Sequence, residues 1–239
     1  MKDSSLCWIC DAAANTREHT IKQSDIRRLF GPGPYAKGKR LVRTDEGRSK
    51  KIIQSEDSVY IKYQRGLCEH CNSGRSQPWD EAYDTFMEFV QAHDQELKRT
   101  RMVDLNRIVL NHGSELAANL YSYFVKAFGC QLQEHGQQPP TELSEYLLGK
   151  RHNTNLILTF AIYASIPLQL SSPTVQIHNL EGDIEVGTRR PLNYTWAVSI
   201  ECLTIVFWYN KPPAIELGHP WDGTSDQIRM GSYRDRTGS

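Results

Sequence analysis

Cys7-Trp8-Ile9-Cys10 and Leu67-Cys68-Glu69-His70-Cys71-Asn72 are the two stretches that decide how this chain begins to fold. Two cysteines separated by two residues form a tight knuckle whose thiolates point at one spot. Two knuckles supply four sulfur ligands, the closed tetrahedral shell that Zn²⁺ takes in structural sites. The sequence therefore predicts a structural zinc ion held by Cys7, Cys10, Cys68 and Cys71. A closed shell leaves no position for substrate, so these cysteines hold the fold and carry no chemistry. Residues 11–67, 57 in number, separate the knuckles, so the insert must leave the site and return to it. Cys130 and Cys202 stand alone and are expected to be buried apolar residues.

The 239 residues are 39% hydrophobic and 10% aromatic, a globular composition with room for one large domain or two small ones. Lys and Arg (28) balance Asp and Glu (28), so the net charge names no partner. The distribution of charge says more. Between Arg17 and Lys51 there are eleven basic residues against four acidic ones, a local excess of seven. Lys22, Lys37, Lys39, Arg40, Arg43, Arg48, Lys50 and Lys51 from this run are the candidates for contact with nucleic-acid phosphates; a solvated loop on a charge-mixed protein is the other reading of such a run. The first ten residues hold a CxxC and no apolar leader, and no apolar run approaches the roughly 18 residues of a membrane span. A cytoplasmic location and no membrane partner are expected, and six cysteines without an export signal argue against a disulfide framework.

Outward from the knuckles, Ser24 is placed to cap a helix bearing Ile26, Leu29 and Phe30 on one face, broken at Gly31-Pro32-Gly33-Pro34. Residues 51–63 alternate in part and predict short strands. Trp79, Tyr83, Phe86 and Val90 recur on a helical period. From about residue 98 the character changes. Ser114–Phe128 reads as a helix ended by Gly129, and Pro139-Pro140-Thr141 opens a short helix stopped at Gly149. Leu156–Ala164, Val175–Ile177, Ile184–Val186 and Tyr194–Tyr209 are β-rich. The fold class is α+β, with a zinc-bearing segment over 1–97, an α+β segment over 98–215, and an irregular tail over 216–239.

The residues beside the cysteines are not needed to bind zinc. Glu18-His19 follows the first knuckle, and Asn72 and Arg75 follow the second. Phosphodiester hydrolysis calls for such a set. Neutral imidazole can take a proton from water near pH 7. Hard oxygen ligands hold a divalent cation, and guanidinium fits phosphate. His19 is the candidate base, Glu18 and Asn72 the candidate ligands of Mg²⁺ or Mn²⁺, and Arg75 the phosphate clamp. Asn72 could equally cap the helix that follows, and the two roles are compatible.

The segments Arg17–Asp25 (REHTIKQSD) and Leu67–Arg75 (LCEHCNSGR), with the two CxxC pairs, resemble the HNH or ββα-metal nucleases, in particular a bacterial group with REHxIKxSD and LCxxCNxxR segments. The resemblance covers about the first 95 residues. It implies a treble-clef-like unit of two strands and one helix around a catalytic cation, followed here by an α+β C-terminal segment. It places the family's acid–His pair on Glu18-His19, with Glu where Asp is commoner, and the final His or Asn on Asn72. The family's central Asn has no clear match; Ser55, Asp57 and Ser58 lie in the corresponding region. The implied activity is metal-dependent endonucleolytic cleavage of DNA, and the sequence does not itself distinguish DNA from RNA. The implied role, by analogy, is restriction or phage defence.

Two other readings remain open from the sequence. In one, the front is a non-catalytic, zinc-dependent nucleic-acid-binding module. In the other, residues 98–239 sense a ligand or partner, or form a homodimer contact, with the front segment as effector.

Overall fold

The computed structural model describes residues 5–35, 41–45, 49–163, 175–187 and 191–233. Its first regular element is helix α1 (Gln23–Phe30), which Gly31 ends at φ +76°. A hairpin follows, β1 (Leu41–Asp45) against β2 (Ser49–Ile53), with Val42 opposite Ile52 and Arg43 opposite Lys51. The second knuckle leads through a wide helical turn, His70–Gly74, into α2 (Gln77–Ala92). Pro78 sits in the first turn of α2, where its missing N–H costs nothing. The expected stripe of Trp79, Tyr83, Phe86 and Val90 is buried.

Helix α3 (Asp94–Thr100), strand β3 (Met102–Asp104) and the single turn α4 (Leu105–Ile108) bring the chain to α5 (Gly113–Glu134). The long helix α5 runs through Gly129, where the sequence predicted its end. The reason is packing. A Cβ at Gly129 would overlap the Trp8 ring, so the missing side chain admits Trp8 against the helix and does not terminate it. The short helix α6 (Thr141–Leu147) ends as expected, with Gly149 at φ +71°.

A six-stranded sheet closes the fold: β4 (Leu156–Tyr163), β5 (Val175–Ile177), β6 (Glu181–Ile184), β7 (Pro191–Ile200), β8 (Leu203–Tyr209) and a last strand, β10 (Gly231–Tyr233). The β-rich run Tyr194–Tyr209 is two strands. A turn at Glu201-Cys202, with Glu201 at φ +50°, pairs Ile200 with Leu203 and Tyr194 with Tyr209. The order is β10-β4-β8-β7-β5, with β6 also on β7, and β10 is parallel to β4. Residues 216–233 are not irregular. Strand β9 (Gln227–Arg229) pairs with β3, and Trp221 is buried against Leu158. One buried aromatic in a Gly- and Pro-rich stretch was the signal for this return.

Phe124 and Phe128 of α5 pack on Phe207 of β8, and Phe86 of α2 and Phe124 both meet Phe160 of β4. The same buried cluster contains Cys7, Trp8, Cys71, Phe86, Phe128 and Phe207, so the segments on either side of residue 97 share one core. A small separate cluster, Ile26, Tyr35, Ile53 and Ile61, supports the hairpin. No helix among the described residues is long and apolar enough to cross a membrane.

Candidate metal centre and the residues around it

The first knuckle is shaped by its own backbone. Cys7 N–H donates to Ala12 O (2.7 Å) and Asp11 N–H to Cys7 O (2.9 Å), with Asp11 at φ +62°. It is then tied to the second. Trp8 N–H donates to Gly66 O, Asn15 and Thr16 N–H both donate to Leu67 O, and Glu69 N–H donates to Asn15 Oδ1. These bonds close the long insert. The four sulfurs of Cys7, Cys10, Cys68 and Cys71 lie within 4.8 Å of one another, and no disulfide joins them. Cys10 and Cys68 Sγ are 3.5 Å apart, and Cys71 N–H donates to Cys68 Sγ. Burial, with the neighbouring Cys10 thiol, pushes the Cys71 thiol up. Four convergent soft donors are a ligand set that fits a structural metal such as zinc, which takes them as thiolates. Cys130 and Cys202 are buried elsewhere in the core as lone thiols.

Beyond the first knuckle, residues 16–20 run antiparallel to residues 61–67. Thr16 pairs with Leu67 and His19 with Lys62, while Thr20 N–H donates to Ile61 O and Tyr63 N–H to Glu18 O, each at 2.8 Å. The chain order is therefore extended segment, extended segment, helix, with the knuckles at its base. Glu18 and His19 are adjacent on the first segment.

Glu18 does not have the surroundings expected of a cation ligand. Its carboxylate sits 2.7 Å from the Nζ of Lys126 on α5, and Lys126 is 1% exposed. Burial works to raise the Glu18 carboxyl; the Lys126 ammonium overcomes it and holds the group below its ordinary range. Lys126 also lies 3.2 Å from Asp80 on α2. The Ser76 hydroxyl lies 2.8 Å from Asp80 Oδ2 and 2.7 Å from Asn72 O, and its single proton is shared between these two acceptors. The ammonium takes Glu18 Oε2 and the His19 backbone N–H donates to Oε1, so neither oxygen stands free for the Mg²⁺ or Mn²⁺ expected there.

His19 fits its expectation better. Burial, then the nearby Lys62 ammonium, lowers the imidazole below its ordinary value, against opposing pulls from Glu18 and Asp57. The lowering favours the neutral ring; the ring hydrogen-bonds the Glu56 backbone, while its Nε2 is buried with no hydrogen-bond partner among the described residues. The ring borders a cavity of about 40 Å³, walled also by Thr20, Asp25, Tyr63, Trp196 and Phe207, and so lies between the knuckle segment and the sheet. Asn72 Oδ1 and Arg75 Nε are likewise buried and unpartnered among the described residues. Asn72 Oδ1 therefore makes no capping hydrogen bond among the described residues; Ser76 stands at the N-terminus of α2. No hydrogen bond or ion pair among the described residues joins His19 to Asn72 or Arg75.

Lys22 is not poised for phosphate. Its ammonium pairs with Asp84 at 2.8 Å and lies 5.6 Å from the centres of both the Tyr83 and Tyr123 rings. Lys37, Lys39, Arg40 and Arg48 lie outside the described residues, and Lys50 is placed in β2. Arg43 donates to Tyr60 O, and the Lys51 ammonium lies over the Tyr60 ring.

The sequence reading missed a chain of charges behind the candidate residues. Asp25, 1% exposed, accepts from Tyr83 and pairs with Arg28. Arg28 reaches Asp84, Asp84 takes Lys22, and Lys22 lies beside Asp80, which meets Lys126. Asp80 and Asp84 thus brace α2 against α1 and α5. The signal for Lys126 was its place on a helix buried nearly all round. Compared with known proteins, the chain matches no family model, no curated protein and no solved structure.

Proposed function

We propose that this chain is an HNH-type endonuclease acting on DNA phosphodiesters, built on a structural zinc ion at Cys7, Cys10, Cys68 and Cys71, with His19 as general base. The observation that carries the reading is the placement of His19, its Nε2 without a hydrogen-bond partner among the described residues, on the first of two paired segments that feed a zinc-type knuckle and then a helix. Zinc fixes the base of that unit and takes no part in the reaction. His19 Nε2 removes a proton from water, the water oxygen bonds to phosphorus, and the bond from phosphorus to the leaving sugar oxygen breaks, that oxygen taking a proton from solvent. Arg75 and the basic segment 37–51 meet the backbone, so binding weakens as salt rises. Asn72 Oδ1 offers a hard oxygen for a cation or a water. A role in restriction or phage defence is the analogy that follows.

The Glu18–Lys126 pair favours a second reading, a zinc-stapled module that binds nucleic acid without cutting it, since the expected cation ligand is occupied. Incubating supercoiled plasmid with purified protein and Mg²⁺ or Mn²⁺, beside His19→Ala, separates the two. Nicking by the wild type that the variant lacks supports the nuclease; retarded but uncut DNA with both proteins supports the binding module. An RNA duplex in parallel reads the substrate class.

A further inference from the structure

Lysine is rarely buried without partners that neutralise it. Lys126 has three carboxylate oxygens from two acids on two different elements. Glu18 Oε2 lies 2.7 Å from its Nζ, and Asp80 Oδ1 and Oδ2 lie at 3.2 and 3.3 Å. Tyr123 adds a ring face 5.8 Å away. On the far side of Asp80, the Lys22 ammonium stands 3.8 Å from Oδ1, and the Ser76 hydroxyl lies 2.8 Å from Oδ2. Hard carboxylate oxygens converging from separate elements are what a divalent cation binds. Here α5 supplies the cation covalently attached.

We infer that Lys126 is a built-in cation that fills the place between Glu18 and Asp80 which a divalent ion would otherwise take, and that it competes with such an ion for Glu18. The competition stands on the ion-pair geometry alone. Its consequence for DNA cleavage, a raised metal requirement set by the position of α5, rests on the nuclease reading. The device ties the chemistry of the knuckle segment to the C-terminal half, because α5 also packs Phe124 and Phe128 on the sheet. A shift of α5 against the knuckle segment would free Glu18.

The test is Mn²⁺ binding, read from the spin-resonance signal of free Mn²⁺ over zinc-loaded wild type, Lys126→Met and Lys126→Met/Glu18→Gln. The expected result is one Mn²⁺ on Lys126→Met bound at least about tenfold more tightly than on the wild type, and lost in the double variant. Equal affinity in wild type and Lys126→Met, or binding that survives Glu18→Gln, overturns the inference. If Lys126→Met does not fold, Lys126→Gln, which keeps a neutral polar group at the position, takes its place with the same two outcomes. The readout is independent of cleavage, so absence of nicking sinks the nuclease reading and leaves this one standing.

Discussion

Glu18 and Lys126, from opposite halves of the chain, form a buried ion pair 2.7 Å long. Removing one partner of such a pair leaves a charge in low dielectric without compensation, which costs more than the pair contributes. Lys126→Ala is expected to lose about 3–5 kcal/mol of folding stability, and Glu18→Gln, which keeps an acceptor oxygen, less. Denaturant unfolding of the two variants checks this. Equal, small losses would mean that water already reaches the pair.

Asp25 gives a pH dependence with a definite sign. Burial pushes its carboxyl up to about 6, against the Tyr83 hydroxyl and Arg28, from an ordinary value of 3.8. The folded state therefore holds the proton more tightly than the unfolded one. The stability this contributes is full below about pH 3.8 and is lost as pH rises through about 6. Wild type should lose stability relative to Asp25→Asn across that window and run parallel to it above. Urea unfolding at several pH values measures the difference; parallel curves throughout would show that Asp25 is not shifted.

Gly129 predicts a steric effect at a helix interior, where alanine is ordinarily favoured over glycine. A Cβ there meets the Trp8 ring, so Gly129→Ala should destabilise by about 1–3 kcal/mol, the range for overpacking a filled site. A melting temperature at or above wild type would contradict the packing.

These residues also show what was legible. The cysteine pairs, α2 and the short helix at Thr141 could be read because spacing and period are local. Gly129 was misread because glycine has two meanings in a helix, an end or a close approach, and only Trp8, far away in sequence, chooses between them. Lys126 was missed because its partners, Glu18 and Asp80, are supplied by tertiary packing. The tail strands were missed for the same reason: Gln227–Arg229 becomes a strand only against Met102–Asp104. His19 could be named from its neighbours, but the lowering of its imidazole depends on burial and on Lys62.

Metal removal should act on the whole chain. Cys7, Trp8 and Cys71 share their buried cluster with Phe128 and Phe207, so the knuckles are not a detachable module. Stripping metal with a chelator, or Cys71→Ser, should lower one cooperative thermal transition. A sheet that keeps its melting temperature while the knuckles unfold would separate the segments. Metal analysis should find about one zinc per chain, as one closed four-cysteine site requires.

The measurement that bears most directly on function is nicking of supercoiled DNA by zinc-loaded wild type and His19→Ala, across a Mn²⁺ series and at two salt concentrations. The account predicts nicking that is metal-dependent, weaker at higher salt, and reduced at least about a hundredfold by the substitution, the usual contribution of a general base. Undiminished nicking by His19→Ala would contradict the role given to His19, and no nicking by either protein at any Mn²⁺ concentration, with DNA still bound, would contradict the nuclease.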